Sequence, residues 1–214
     1  MRLFLCRHGN TFNPGDESVW TGSTNDLPLV EKGEQQAHDV ATWLRQDPDA
    51  LSFTPSVIYA SHLQRVKRFA DLIKEDNGYD ASIHHDECLN EIDYGSWTGI
   101  SDQAVEEIYG RAPIDLWRQK SVFPAQGQWG ETQDQVIDRI NAFVEVLKSK
   151  HEDEDVLVVS SNGILRYFLN AFDPDLFKAH IDAENFQVKT GRMCFITYKE
   201  NNTDVVFWNK DPNS

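Results

Sequence analysis

Short apolar runs alternate with longer amphipathic segments along this chain of 214 residues. The apolar runs at residues 3–6, 56–60 and 156–160 have the length of buried strands. The segments at 31–46 and 132–150 place apolar side chains at helical spacing on one side. This alternation predicts an α/β fold in which a mostly parallel central sheet is covered on both faces.

Several element boundaries can be predicted from local signals. The helix at 31–46 is expected to end at Asp47-Pro48, because proline cannot continue a helix. Ser61 follows the strand at 56–60 and is expected to be the N-cap of the next helix. A later helix is expected from Ile164. Two closing strands are expected at the end of the chain, at 193–198 and 205–208.

The chain length suits one domain covering residues 1–214. The exception to regular patterning is a region around 101–130, where prolines and glycines interrupt short helical pieces. This region carries Tyr109, Trp117 and Trp129. It is interpreted as a lid-like insertion, and a satellite core is an equally good explanation of its aromatic residues.

The charge balance excludes some classes of partner. With 20 basic and 35 acidic side chains, the formal net charge is -15, which opposes binding to nucleic acid or to an anionic membrane.

The cysteines, at positions 6, 88 and 194, form no ligand or disulfide spacing, which predicts a cytoplasmic protein. No apolar run approaches the ~20 residues of a membrane span. The oligomeric state expected is a monomer or a homodimer.

Polar residues with phosphate-binding chemistry directly follow the first predicted strand. Arg7 and His8 place a cation beside a nucleophile, and Asn10, Thr11 and Asn13 add hydrogen-bonding groups. In open α/β sheets, ligands bind outside the carboxyl ends of the strands. In a chain this acidic, a phosphate site requires a local cluster of cations. The sequence therefore predicts a phosphate site around His8.

Two further segments are expected at the same edge of the sheet. Arg65 lies one turn into a helix after the strand at 56–60, where a helix N-terminus already favours anions. Ser161 and Asn162 directly follow the strand at 156–160. Because the carboxyl ends of neighbouring parallel strands meet, these side chains are predicted to surround the phosphate together with Arg7 and His8.

The segment from Leu89 to Trp97 contains two candidate carboxyl groups for proton transfer. Glu91 and Asp93 both lie between apolar and aromatic residues there, and burial helps a carboxyl keep its proton for a leaving group. Local sequence does not choose between them. Trp97 is expected to line the same cavity.

The segment from His84 to Cys88 has the composition of a metal site. In an extended segment, neighbouring side chains point to opposite faces, so no more than two or three of these residues can share one ion. We therefore predict no metal there.

Taken together, these motifs resemble branch 1 of the histidine phosphatase superfamily, the phosphoglycerate mutase-like group. The resemblance is carried by the segments at 5–11, 61–65 and 89–97, and it extends through 26–33, 130–132 and 156–166. It implies a three-layer α/β/α sandwich in which His8 attacks phosphorus and becomes a phosphohistidine, while Arg7 and Arg65 hold the phosphoryl oxygens. It also implies that Glu91 is the general acid, and that no metal or cofactor takes part.

The chain departs from the family pattern after the late strand. Members usually carry a second histidine in a Val-Ser-His-Gly-Gly pattern, and Ser161 stands at that position here. Losing a charged donor to a transition state costs about 3 kcal/mol, or a hundredfold in rate. The candidates to compensate are His62, Asn162, Lys189 and Arg192. Asn10 and Asn13 match polar positions of the family's phosphate loop, Asn13 with a spacing one residue short.

The sequence thus predicts a metal-independent phosphatase that acts on a small phosphorylated metabolite. Two alternatives stay open. A phospho-ligand binding or regulatory protein with weakened catalysis is motivated by Ser161. A phosphoglycerate-type mutase is disfavoured because the segment between Glu91 and Ser161 is short for the insertion of such enzymes.

Overall fold

The computed structural model describes residues 1–47, 50 and 52–214. Over these residues, one six-stranded sheet is combined with seven α-helices, as the predicted α/β sandwich requires. The strands are β1 (Arg2–Arg7), β2 (Val57–Ala60), β3 (Ser82–His85), β4 (Asp155–Ser160), β5 (Met193–Lys199) and β6 (Asn202–Lys210). The helices are α1 (Glu31–Gln46), α2 (Gln64–Asn77), α3 (Asp102–Tyr109), α4 (Ala112–Lys120), α5 (Gln133–Lys150), α6 (Asn162–Phe172) and α7 (Pro174–Asp182).

The strand order in the sheet is β3-β2-β4-β1-β5-β6. The first four strands are parallel to one another, and β5 and β6 form an antiparallel hairpin at the other edge. In the parallel part, Arg7 lies opposite Ser160, and Ala60 lies opposite Val159. The carboxyl ends of β1, β2 and β4 therefore meet, as predicted.

Two apolar cores cover the two faces of the sheet. Along β1, Leu3 and Leu5 belong to one core, and Phe4 and Cys6 belong to the other. The first core is closed mainly by α5 and α6, and the second by α1 and α2. Because successive side chains of a strand point to opposite faces, a continuous apolar run is what a strand covered on both sides needs.

Two predicted helix starts are each wrong by two residues. The first turn of α2 begins at Gln64, and Ser61 is not its N-cap. The Gln64 amide donates instead to the carboxylate of Asp26, at 2.9 and 3.2 Å from its two oxygens. An acceptor supplied from 38 residues away leaves no local signal. The helix expected from Ile164 begins earlier, at Asn162.

Other boundaries agree with the predictions. The helix at 31–46 has the predicted bounds, and Asp47 follows it; Pro48 lies outside the described residues. The two closing strands are β5 and β6, joined through Glu200 and Asn201 at positive φ. Among the described residues, no helix is long and apolar enough to cross a membrane.

The distant cap of α2 leads to a stability prediction. Replacing Asp26 by Ala removes the acceptor of the Gln64 amide and should lower the free energy of unfolding by about 1 kcal/mol. Asp26→Asn keeps an acceptor oxygen and should recover most of this loss. Ser61→Ala should cost less than about half as much, since its hydroxyl makes only a 3.3 Å contact with the Leu63 amide. Urea unfolding of the three variants measures the difference, and a larger loss for Ser61→Ala would contradict this assignment.

Candidate active site

A cavity of about 940 Å³ opens at the carboxyl ends of β1 and β4. Its wall includes residues from the end of β1, the loop at 10–22, the start of α2, α6 and the insertion around 101–130. The charged or titratable side chains of the wall include Arg7, His8, Arg65, Glu91 and Arg166. Four of these were predicted from the sequence, and Arg166 was not.

His8 is buried directly after β1, and its amide donates to the Ser160 carbonyl at 3.1 Å. Its Nδ1 lies 2.8 Å from the Gly9 carbonyl oxygen, which can only accept a hydrogen bond, so Nδ1 carries the proton. Nε2 then holds a lone pair, and the Nε–H of Arg65 donates to it at 3.3 Å. The ring is therefore held as a neutral imidazole with Nε2 as its nucleophilic atom.

The electrostatic surroundings keep His8 neutral. Burial holds its pKa well below the usual 6.5, and the positive charges of Arg65 and Arg7 lower it further. Because the lone pair on Nε2 is the reactive group, this shift preserves the nucleophilic form at neutral and mildly acidic pH.

Close backbone packing holds the loop after His8. A Cβ on Gly9 would lie 2.2 Å from the Gly33 carbonyl oxygen, and a Cβ on Gly33 would lie 2.2 Å from that of Asn10. Neither glycine tolerates a side chain here. The Asn10 amide also donates to Gln36 Oε1 at 2.8 Å, which attaches the loop to α1.

Arg65 and Arg7 bring positive charge to the cavity. Arg65 is buried; its Nη2 donates to the Gly22 carbonyl at 2.8 Å, and its Nη1 lies 3.7 Å from a carboxylate oxygen of Asp26. The Nη1 of Arg7 donates to the Val188 carbonyl at 2.8 Å, while its buried Nε has no partner among the described residues. Burial lowers the pKa of both guanidinium groups, which remain charged.

Of the two candidate carboxyl groups, Glu91 lines the cavity and Asp93 does not. Glu91 is buried and lines the cavity, where its carboxylate accepts the Ile92 amide at 3.0 Å and the Gly163 amide at 3.3 Å. A Cβ on Gly163 would lie 2.2 Å from Glu91 Oε1, so only glycine fits there. Asp93 accepts the Gly95 amide at 2.9 Å, packs against Gly130, and is not part of the cavity wall.

The remaining predicted phosphate ligands are placed differently from one another. Asn162 lines the cavity and accepts the Val188 amide at 2.8 Å. Asn13 also lines the cavity, but its backbone and side-chain N–H groups donate to the Asp16 carboxylate, at 2.8 and 3.2 Å. Ser161 is fully buried outside the cavity wall, and its Oγ has no hydrogen-bond partner among the described residues.

Of the side chains considered as substitutes for the second histidine, only Asn162 reaches the cavity wall. The guanidinium of Arg192 is paired with Asp211 at 3.0 Å, and neither His62 nor Lys189 belongs to the wall. Arg166, which lines the cavity, was missed. It lies four residues after Asn162 on α6, so helical spacing from Asn162 could have indicated it.

The insertion contributes both to the cavity and to the core. Trp117 and Arg118 line the cavity, together with residues 101–103. Trp129 instead packs in the core, with its ring 5.4 Å from that of Trp97. The expectation that Trp97 lines the cavity is wrong, because its side chain is fully buried beneath Trp20, with ring centroids 4.9 Å apart.

The histidine-rich segment lies elsewhere. His84 and His85 are exposed residues of the edge strand β3 and are not part of the cavity wall. Over the described part of the chain, no group of three or more His, Cys, Asp or Glu residues is arranged to hold a metal ion.

Known proteins resemble this chain in sequence. The family model of the histidine phosphatase superfamily (branch 1) matches residues 3–211. A 2,3-bisphosphoglycerate-dependent phosphoglycerate mutase from Parvibaculum lavamentivorans is 27% identical over 80% of this chain and 79% of its own. Phosphoserine phosphatase 1 from Hydrogenobacter thermophilus is 31% identical over 78% of this chain and 73% of its own.

The fold has close matches among solved structures. The alpha-ribazole phosphatase from Shigella flexneri superimposes with a TM-score of 0.76 at 22% identity, covering 99% of this chain and 97% of that one. The match of the family model over nearly the whole chain agrees with the resemblance seen in the motifs. The chain therefore belongs to branch 1 of the histidine phosphatase superfamily and is an enzyme of the histidine phosphatase type.

Proposed function

We propose that this protein hydrolyses small phosphomonoesters through a phosphohistidine formed on His8, without a metal ion. The observation that carries the proposal is the state of His8. Its Nδ1–H is held by the Gly9 carbonyl, and its Nε2 lone pair faces the Nε–H of Arg65 at 3.3 Å. A neutral imidazole fixed in this tautomer next to a guanidinium is suited to attack a phosphoryl group that the same guanidinium holds.

The charge of the cavity supports a phosphate dianion as the ligand. Among the described residues, Arg7 has no carboxylate within ion-pair distance, and Arg65 has only Asp26, at 3.7 Å. Buried charges without partners are costly, and a bound anion removes much of that cost. The site therefore offers compensation to a doubly charged phosphoryl group despite the net charge of -15.

The proposed reaction has two balanced steps. Nε2 of His8 forms a bond to phosphorus as the bond from phosphorus to the leaving oxygen breaks, and Glu91 gives its proton to that oxygen. Glu91 then takes a proton from water, whose oxygen attacks phosphorus and breaks its bond to Nε2. Arg7 and Arg65 stabilise the charge on the transferring group in both steps.

Ser161 reduces the charge available to this reaction. A serine hydroxyl donates one hydrogen bond but carries no positive charge. Its Oγ has no partner in the described residues, but it is buried outside the cavity wall and so does not face a phosphoryl group bound in the cavity. In this proposal Asn162, which lines the cavity, assists phosphate binding, and catalysis is slower than with a second histidine.

The relatives motivate a second candidate reaction. Some of them are named phosphoglycerate mutases, which would pass the phosphoryl group to another hydroxyl rather than to water. Release of inorganic phosphate, measured against transfer to an added acceptor alcohol, separates the two reactions.

We propose a small phosphorylated metabolite as substrate. We also propose a cytoplasmic location, which the free thiols of Cys6, Cys88 and Cys194 support.

The nucleophile can be tested directly. The wild-type protein should hydrolyse p-nitrophenyl phosphate in the presence of EDTA, and His8→Ala should reduce this to the background rate. Acid-labile, base-stable phosphate should be trapped on the wild type by rapid quenching. His62→Ala is the matched control, because His62 is exposed and outside the cavity wall. Thermal protection by a phosphorylated ligand without any trapped phosphohistidine would favour the binding-protein alternative.

The role of Glu91 predicts a dependence on the leaving group. Glu91→Gln should lower kcat for an alkyl phosphate by about 10²- to 10⁴-fold, since alkoxides need a proton to leave. The loss should be much smaller for p-nitrophenyl phosphate, whose leaving group is stable as an anion. Asp93→Asn should affect neither ester in this way, because Asp93 is outside the cavity wall. Equal losses for both esters with Glu91→Gln would argue against general acid catalysis.

The protonation state of His8 is open to measurement. Because the pKa of His8 is lowered in the folded protein, its ring should still be neutral at pH 6.5. The ¹⁵N shifts of the imidazole should show a protonated Nδ1 and an unprotonated Nε2. The unfolded chain takes up this proton first, so the stability that depends on neutral His8 should be lost as the pH falls below 6.5. A titration midpoint at or above 6.5 contradicts this description.

A further inference from the structure

Arg166 is held in the cavity wall by three hydrogen bonds that leave part of its guanidinium unused. Its Nε donates to the Asn162 carbonyl at 3.2 Å, and its Nη1 donates to the Trp117 carbonyl at 3.3 Å and to Ser121 Oγ at 3.4 Å. The guanidinium carbon lies 4.0 Å from the ring centroid of Trp117 and 5.0 Å from that of Phe186. Within the described residues, Nη2 has no protein partner, so both of its N–H groups remain for a ligand.

Arg166 lies on the Glu91 side of the cavity. Gly163, which is one turn earlier on α6, donates its amide to Glu91 at 3.3 Å. Burial lowers the pKa of the Arg166 guanidinium. The arginines that lower the pKa of His8 are Arg65 and Arg7. Arg65 therefore contacts the nucleophile directly, whereas Arg166 extends from the helix whose first turn contacts Glu91.

Other groups near Arg166 are also donors. Asn162 uses its Oδ1 to accept the Val188 amide, and its Nδ2 makes no hydrogen bond to the described residues. The hydroxyl of Tyr94 is likewise unpaired there, and it would lie 3.0 Å from a Cβ placed on Gly163, next to the Glu91 carboxylate. Burial raises the pKa of Tyr94 well above its usual value, so this hydroxyl keeps its proton. Three donors, one of them positively charged, thus face the space where the leaving group would lie.

We infer that Arg166 binds an anionic group on the leaving alcohol, so that the preferred substrates are phosphomonoesters whose alcohol carries a carboxylate or a second phosphate. The inference rests on the proposed function and names its substrate class. A buried guanidinium with two free N–H groups and no carboxylate partner gains most from a ligand oxygen that carries negative charge. Arg166 is in this assignment a specificity-determining residue rather than a ligand of the transferring phosphoryl group.

Three substrates of matched length test the inference on the wild-type enzyme. They are 3-phosphooxypropanoate, which carries a carboxylate, propane-1,3-diyl bisphosphate, and 3-phosphooxypropan-1-ol, which is neutral at that end. We expect kcat/KM to be about tenfold to a hundredfold higher for at least one anionic substrate than for the neutral one. The anionic substrate with the higher kcat/KM identifies the preferred anion. Values within threefold of one another, or a preference for the neutral substrate, would overturn the inference.

Substitutions then assign the preference to Arg166. Arg166→Met keeps a long side chain between the two aromatic rings and should reduce the preference for the anionic substrate to near one, mainly by raising its KM. Hydrolysis of p-nitrophenyl phosphate should change by less than about threefold, which also reports that the variant is folded. Arg166→Lys should retain part of the preference. Arg192→Met is the matched control, because the Arg192 guanidinium pairs with Asp211 and lies outside the cavity wall.

The outcomes separate this inference from the proposed function. An equal loss for all esters in Arg166→Met would show that Arg166 acts on the phosphoryl group or only on the structure, and would overturn the inference. If Arg166→Met does not fold, the comparison of substrates on the wild type and on Arg166→Lys still decides it. Failure of the wild type to hydrolyse p-nitrophenyl phosphate would refute the proposed function. Hydrolysis through His8 without any preference for anions would refute the inference alone.

Discussion

The parallel pairing of β1 with β4 is the constraint on which the active site depends. Its register places Arg7 opposite Ser160, and the ladder continues for one more residue, because the His8 amide donates to the Ser160 carbonyl. Past that point the two segments of the chain separate. The segment after β1 enters the loop held against Gly33, and the segment after β4 enters α6. The space between them is the cavity. A shift of one residue in this register would turn His8 to the opposite face of the sheet.

Around this pair, the protein buries positive charge that it does not neutralise. Arg65 and Arg166 are both almost inaccessible to solvent, and their hydrogen bonds go mainly to backbone carbonyls. Carbonyl oxygens orient a guanidinium but carry no full negative charge, so part of the cost of burial remains in the unliganded protein. That cost is the physical reason why we propose an anionic ligand for this cavity in a chain with a net charge of -15. His8 is held in its neutral form by burial of its ring and by the nearby positive charges of Arg65 and Arg7.

Much of the fold was predictable because its signals are local. Val136, Ile140, Val144 and Leu147 recur at helical spacing and are all buried in α5. Boundaries that depend on distant residues were not predictable. The N-terminus of α2 is set by Asp26, which the fold brings to Gln64 from 38 residues away. The exclusion of Asp93 from the cavity depends in the same way on Gly130, a residue of the insertion.

The sequence by itself determined which residues could carry phosphate chemistry and where they would meet. His8, Arg65 and Glu91 stand in motifs with a recognisable order, and parallel strands collect their ends at one edge. Only the tertiary structure decided how each group is used. The tautomer of His8 depends on a carbonyl and a guanidinium placed by the fold, and the position of Arg166 depends on α4 packing against α6. Hydrogen-bond direction and burial arise from neighbours in space, and the order of residues along a chain does not contain them until the chain has folded.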